Sequence, residues 1–163
     1  MEMIEVYHGS ITTVKQPLCR AGRPNLDFGR GFYVTDIKKQ AIDWAMNMSR
    51  RTGEKPLLNI YQLDRKTILS EERCKIFSAY DREWLLFIVA ARRGADIASS
   101  YDYVEGGVAN DRVIDTVNLY MAGLMGINTA LQRLSMHRPN NQMCLLSQRL
   151  IDKYLIYGGT TEI

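Results

Sequence analysis

The chain has 163 residues, 46% of them hydrophobic and 24% charged, which predicts one domain spanning 1–163 with a hydrophobic core of its own. No apolar run is long enough to span a bilayer, and the first residues lack the pattern of a signal peptide, so a membrane protein and a secreted protein are both disfavoured. The three cysteines are odd in number and widely spaced, which indicates neither a disulfide framework nor a zinc site. We therefore expect a cytoplasmic protein.

The net charge of +3 is concentrated in the first third of the chain. Residues 1–55 carry nine Lys or Arg against six Asp or Glu, whereas residues 56–163 carry twelve of each. A local positive field of this kind favours an anionic ligand such as a pyrophosphate, although a solvated face explains it equally well. The excess is too small to predict nucleic-acid binding.

The predicted elements alternate irregularly between short strands and helices. In the first half we predict strands over residues 4–8, 31–35 and 57–63, a loop over 17–29, and a helix over 37–51 that Asp36 caps and Gly53 ends. In the second half we predict helices over 81–93, 111–121 and 129–135, a short helix after Ser147, and strands over 101–104, 142–146 and 154–157. This order is typical of an α+β fold and not of a regular doubly wound sheet.

Two short motifs near the start indicate chemistry. The sequence YHGS spans residues 7–10, DFGRGFYVT spans 27–35, and Trp44 follows Tyr33 by eleven residues. Glycines in both motifs suggest a backbone that something must approach closely. A His and a Tyr on neighbouring strand ends, with a Trp on the next helix, predict a pocket for a flat, hydrogen-bonding ligand. By spacing alone, Tyr33 and Trp44 fit core positions equally well.

In order and spacing these motifs resemble the NAD-binding core of the ADP-ribosyltransferase superfamily. They are most similar to its His-Tyr-Glu branch, which includes the poly(ADP-ribose) polymerases and the diphtheria-type toxins. Over its full length, including VAND at 108–111 and NQMC at 141–144, the chain resembles a small bacterial family of uncharacterised stand-alone domains placed in that superfamily. The resemblance implies split, mixed β-sheets around an NAD cleft with flanking helices.

The resemblance also implies roles for single residues. The NAD-binding set that it implies is Tyr7, His8, Gly9, Ser10, Arg30, Gly31, Tyr33 and Trp44. Within this set, His8 would bind the adenosine-side ribose and the backbone of Gly9 would bind the nicotinamide amide. The rings of Tyr33 and Trp44 would enclose the nicotinamide. Arg30 would contact a phosphate.

The catalytic position departs from the family pattern. Where the superfamily has its catalytic Glu, this chain has Gln142, which can accept a hydrogen bond from a ribose hydroxyl but brings no negative charge. Asp111 and Glu105 are the carboxylates that would replace this charge, although Asp111 equally suits a helix cap. We expect catalytic contributions from Gln142, Tyr33 and Asp111, and no metal site.

These residues favour a mono-ADP-ribosyltransferase that uses NAD as its substrate. Its acceptor is left open between protein, nucleic acid and water. The resemblance to small stand-alone toxins implies an antitoxin protein as a partner, and nothing in the sequence indicates a membrane partner. Two alternatives also stay open: a binding module for NAD or ADP-ribose that has lost catalysis, and an NAD glycohydrolase.

Overall fold

A computed structural model describes residues 2–163, except for the side chain of Asp111. Within this part of the chain, strands and helices alternate irregularly, which confirms the α+β prediction. In chain order the elements are β1 (Ile4–Ser10), β2 (Phe32–Val34), α1 (Lys38–Thr52), β3 (Leu57–Leu63), α2 (Arg65–Glu71), β4 (Cys74–Ile76), α3 (Arg82–Arg92), β5 (Tyr103–Gly106), α4 (Asp111–Met121), α5 (Ile127–Leu134), β6 (Gln142–Leu145), α6 (Gln148–Tyr154) and β7 (Leu155–Glu162).

The strands form two sheets. One has the antiparallel order β1-β3-β7, and the other is mixed, with the order β2-β6-β5-β4 and a parallel pair between β4 and β5. An isolated bridge joins them: the Tyr7 N–H donates to the Thr35 carbonyl at 2.8 Å, and the Thr35 N–H donates to the Tyr7 carbonyl at 2.9 Å. Beyond this bridge, β1 and β2 separate.

The core is divided between the two faces of the four-stranded sheet, because successive side chains of a strand point to opposite faces. On one face, residues such as Val104 and Cys144 pack with Phe28 and with α3, α4 and α5. On the other face, residues such as Tyr103 and Leu145 pack with the three-stranded sheet and with α2 and α6. The second cluster therefore joins the two sheets.

Local signals located several boundaries correctly. The Asp81 side chain caps α3 by accepting from the Trp84 N–H at 2.9 Å, and Ser147 caps α6 in the same way. Gly53, with a φ of 77°, ends α1 in the left-handed conformation that favours glycine. The predicted cap by Asp36 is wrong, because Ile37 occupies the N-cap of α1 without a side-chain bond.

Other segments differ from the prediction. Residues 64–80, for which no element was predicted, contain α2 and β4. The fifth strand lies two residues later than predicted, because its register is set by pairing with β6. The last strand continues to Glu162 along β3.

Among residues 2–163, no helix has both the length and the apolar character that crossing a membrane requires. The three cysteines are free thiols, with Cys144 buried and the other two half-buried. Burial raises the pKa of each thiol, to about 11 for Cys74, so all three are protonated near neutral pH. They are therefore poor nucleophiles in this environment.

Candidate functional site

The candidate site is the gap that opens between β1 and β2 beyond the bridge. Along an antiparallel strand, the backbone polar groups of alternate residues point to the same side. Both backbone groups of Tyr7 bind Thr35 of the neighbouring sheet, so those of Gly9 also point away from β3. Within the described part of the chain, β2 forms no ladder pair with Gly9. One N–H donor and one C=O acceptor therefore face the gap.

The imidazole of His8 spans this gap on one side. Its Nδ1 lies 2.7 Å from the carbonyl oxygen of Tyr33, and its ring packs against Phe32 at 4.6 Å between centroids. Because a carbonyl only accepts, Nδ1 carries the proton and Nε2 of the neutral ring keeps a lone pair. Burial lowers the pKa of His8, and the bond to the carbonyl opposes this only in part. His8 thus offers a hydrogen-bond acceptor at neutral pH.

Tyr33 contributes a fixed aromatic ring. Its hydroxyl donates to the Gly29 carbonyl at 2.7 Å and accepts from the Phe28 N–H at 3.0 Å. The ring lies nearly parallel to that of Phe28, with the centroids 6.2 Å apart. Burial raises the pKa of Tyr33 well above its usual value, so the hydroxyl stays protonated. The ring also packs against the core cluster around Phe28, as its spacing allowed. The part of Tyr33 that stays exposed is suited to form a wall of the site and not to transfer a proton.

Trp44 lies on the helix that covers β1 next to the gap. The helix α1 approaches so closely that a Cβ atom on Gly9 would lie 1.9 Å from the Ala41 carbonyl oxygen and 3.1 Å from the Ala45 nitrogen. Trp44 belongs to the same turn, and 56% of its surface is exposed. Its helical spacing also suited a core residue, and the structure excludes that interpretation. The exposed ring is available to stack on a ligand that reaches this turn of α1.

Gln142 lies on the same face of the sheet as Tyr33. Tyr33 pairs with Cys144, so Gln142, two residues earlier, is its diagonal neighbour, at a typical Cβ separation of about 7–8 Å. The preceding Asn141 is tethered to β2, because its carbonyl accepts from the Thr35 hydroxyl at 2.6 Å. Gln142 is half-buried, and no described residue hydrogen-bonds to its side-chain amide. The amide is therefore free to bind a ligand.

The glycines of the two motifs also have packing roles. Gly9 is required by the approach of α1, as described above. A Cβ atom on Gly31 would lie 2.6 Å from the Cys144 sulfur and 2.7 Å from the Leu145 carbonyl oxygen. The close approach that these glycines indicated is thus made in part by the protein itself, and the glycines alone do not identify a ligand site.

Of three other predicted binding residues, two bind other groups through their hydroxyls and one lines a separate groove. The Ser10 hydroxyl is buried and accepts from the Thr12 N–H at 3.2 Å, and the Tyr7 hydroxyl donates to Glu5 at 2.5 Å. Arg30 is exposed and lines a separate groove. The YHGS motif therefore contributes to the gap mainly through His8 and Gly9.

Of the two alternative carboxylates, Glu105 is held away from Gln142 by its own contacts. Both oxygens of Glu105 accept from the Arg65 guanidinium at 2.7 Å, and Tyr103 also donates to this carboxylate. Because Gly106 pairs with Gln142, the preceding Glu105 points to the opposite face of the sheet. Asp111 begins α4 with Asn110 at the N-cap, and its predicted catalytic side chain lies outside the described structure.

A family model matches residues 4–157, almost the whole chain, and its description is protein of unknown function (DUF3990). The chain belongs to this DUF3990 family. No curated protein and no solved structure matches it. A function for this DUF3990 chain must therefore be argued from its own residues.

Asn59 is a site-shaping residue that the sequence analysis missed. It is fully buried on β3, opposite His8, and its amide donates to the carbonyls of His8 and Thr12 at 3.3 and 3.1 Å. Its oxygen accepts from the Val14 N–H at 2.9 Å. Asn59 thus holds the loop after β1 next to the gap. The available signal was an amide inside the otherwise apolar first half of this strand.

Asp27 is the second missed residue. It is buried, and one oxygen accepts from Arg92 Nε while the other accepts from the Ala109 N–H, both at 2.6 Å. The next residue, Phe28, binds the Tyr33 hydroxyl through its N–H. Asp27 therefore links the Tyr33 wall of this DUF3990 fold to α3 and to the loop after β5. Its signal was a lone acidic residue in a basic loop.

Proposed function

We propose that this protein is a mono-ADP-ribosyltransferase that binds NAD in the gap between β1 and β2. The observation that carries the proposal is the pair of Gly9 backbone groups that face this gap. The amide of nicotinamide has one carbonyl acceptor and an NH₂ donor, so it matches an unpaired N–H and C=O. Trp44 is exposed on the turn of α1 that packs against Gly9, and Tyr33 accepts from His8 through its carbonyl, so both residues are candidates to enclose the nicotinamide ring.

The remaining contacts suit the rest of NAD. The acceptor nitrogen of His8 is suited to a ribose hydroxyl, and its bond to the Tyr33 carbonyl keeps the ring in position. The Gln142 carbonyl oxygen is suited to the hydroxyl of the nicotinamide-side ribose. These assignments agree with the roles that the resemblance to ADP-ribosyltransferases implies. The proposal also includes a cytoplasmic setting, as expected from the composition, and an antitoxin partner, as the resemblance implies.

The proposed reaction replaces one bond at the ribose C1′ atom. The bond from C1′ to the nicotinamide nitrogen breaks, and its electron pair stays on nicotinamide. A lone pair of the acceptor forms the new bond to C1′, and the acceptor proton passes to solvent. Positive charge develops on the ribose ring during this step, and the Gln142 amide stabilises it through a dipole and not through a full negative charge.

A binding module for NAD or ADP-ribose is the second candidate, and one observation favours it. The carboxylate of Glu105 is bound by Arg65 on the far face of the sheet, and position 142 is neutral. If no other negative group reaches the ribose, the pocket would bind the nucleotide without cleaving it.

Titration calorimetry of the purified chain with NAD, followed by product analysis of the same sample, tests the proposal. Binding with nicotinamide release and labelling of a macromolecule in cell extract is the expected result. Release of free ADP-ribose without labelling would assign a glycohydrolase instead. Binding without release would assign the binding module, and the absence of binding would refute all three.

A further inference from the structure

A second groove, of about 700 Å³, lies apart from the gap between β1 and β2. Its lining includes the apolar residues Leu18, Pro24, Ile97 and Leu146 and the guanidinium groups of Arg20 and Arg30. The volume is within the range of about 300–1,000 Å³ that is typical of binding clefts. Leu146 is four residues from Gln142 along an extended segment, a separation of about 14 Å. The groove is therefore close to the candidate site without being part of it.

The loop that forms one wall of the groove is fixed in place. The Gln148 side chain accepts from the Cys19 N–H at 2.9 Å and donates to the Pro17 carbonyl at 3.0 Å. Gly22 lies so close to the start of β2 that a Cβ atom on it would be 2.4 Å from the Gly31 carbonyl oxygen. Asn25, at the rim, has a left-handed φ of 62°. Such contacts form the groove before binding and reduce the loss of conformational entropy when a ligand binds.

The loop of this wall carries four exposed cations, of which Arg20 and Arg30 line the groove. Lys15, Arg20, Arg23 and Arg30 are all exposed, and within residues 2–163 none of them forms an ion pair. The one acidic residue of the loop, Asp27, is buried and bound to Arg92. The groove lining also includes the exposed Asp96 from the segment after α3, so its two arginines exceed its acidic residues by one. The groove thus combines an apolar floor with a net positive edge, which is complementary to a segment with acidic and apolar side chains.

We propose that this groove docks the protein acceptor of ADP-ribose through a segment of acidic and apolar residues, an inference that rests on the proposed function. Sites for single-stranded nucleic acid rely on aromatic side chains that stack on bases, and none of the described residues lining this groove is aromatic. Leu146 of the groove and Gln142 of the candidate site are about 14 Å apart, so about four extended residues of a docked acceptor would reach the ribose.

Fluorescence polarisation with a labelled peptide of alternating Glu and Leu tests this docking site on the full chain. The variant R20E should raise the dissociation constant of the peptide about fivefold, the upper range for loss of one exposed ion pair. The matched control R51E changes one exposed arginine outside the groove, and it should leave peptide affinity within about twofold. NAD affinity should be unchanged in both variants.

Three results would overturn the inference. The peptide would fail to bind at low salt, or a labelled single-stranded oligonucleotide would bind more tightly than the peptide, or R20E would weaken NAD binding as strongly as peptide binding. The last result would assign the groove to the NAD site itself. Failure of the proposed function is distinguished from failure of the docking site, because NAD binding and nicotinamide release are measured without peptide. If the peptide binds through the arginine but the protein does not bind NAD, the groove is a docking site for acidic segments. Its assignment to an acceptor of ADP-ribose is then overturned.

Discussion

Substitution of Gln142 by Glu is the sharpest test of the site. The side chain shares a face with Tyr33 and forms no hydrogen bond with a described residue, so Glu fits the same space without breaking a contact. The carboxylate would bring negative charge to the ribose where the amide offers only a dipole. One preorganised electrostatic contact of this kind contributes about 3–4 kcal/mol to the transition state. We therefore expect nicotinamide release to be about 100- to 1,000-fold faster in Gln142→Glu.

The assay is single-turnover nicotinamide release at saturating NAD and neutral pH, followed by chromatography. The control is Gln142→Ala, which removes the ribose contact and should be no faster than the unmodified chain. Unfolding free energies should agree within about 0.5 kcal/mol, as for other substitutions away from the core. If Gln142→Glu binds NAD but releases nicotinamide no faster than Gln142→Ala, then residue 142 does not face the reacting ribose, and the reasoning is refuted.

Three further predictions follow from single side chains. Trp44→Ala should lower NAD affinity about tenfold in calorimetry, and it should leave the melting temperature unchanged because the ring is exposed. The control Leu124→Ala, at a site that is 76% exposed, should change neither quantity. Equal NAD affinities of the two variants would contradict the stacking role of Trp44. Asp27→Asn should lower the urea-derived free energy of unfolding by about 2–3 kcal/mol, because the buried charge partner of Arg92 is lost, and a loss under about 0.5 kcal/mol would contradict this. The pKa of His8 is lower in the folded than in the unfolded chain, so its contribution to the free energy of unfolding should be complete above pH 6.5, its usual pKa, and decrease as the pH falls below that value. A His8→Asn variant whose free energy of unfolding depends on pH with the same slope would refute this.

The elements that the sequence predicted well are those with local signals. The caps of α3 and α6 and the glycine after α1 act within a few residues, so they can be read directly from the chain. The helix α2 begins at a comparable cap, where Asp64 accepts from the Thr67 N–H at 3.3 Å, but its seven residues give little periodicity. The strand β4 has three residues and is defined by pairing with β5, which no local pattern reveals.

The same distinction explains which parts of the site were predictable. The His8 ring lies 2.7 Å from the Tyr33 carbonyl oxygen, which agrees with the prediction that these residues stand on neighbouring strand ends, whereas their roles in a site stay predictions. The partners of Asn59 in the first loop lie 45 to 51 residues away, and those of Asp27 lie 65 and 82 residues away. Such contacts exist only in the folded chain, so a sequence pattern gives no access to them.

The neutral side chain at residue 142 and the bound carboxylate of Glu105 link the two proposals. Freeing Glu105 would leave Arg65 without its partner, which makes it a poor source of negative charge for the ribose. An acidic acceptor segment docked in the groove would bring its own carboxylate to the site. Nicotinamide release should therefore be faster with the Glu-Leu peptide than with a matched Gln-Leu peptide, at equal peptide occupancy and saturating NAD. Equal rates with both peptides would show that the acceptor does not supply the charge, and the site would then have to work with dipoles alone.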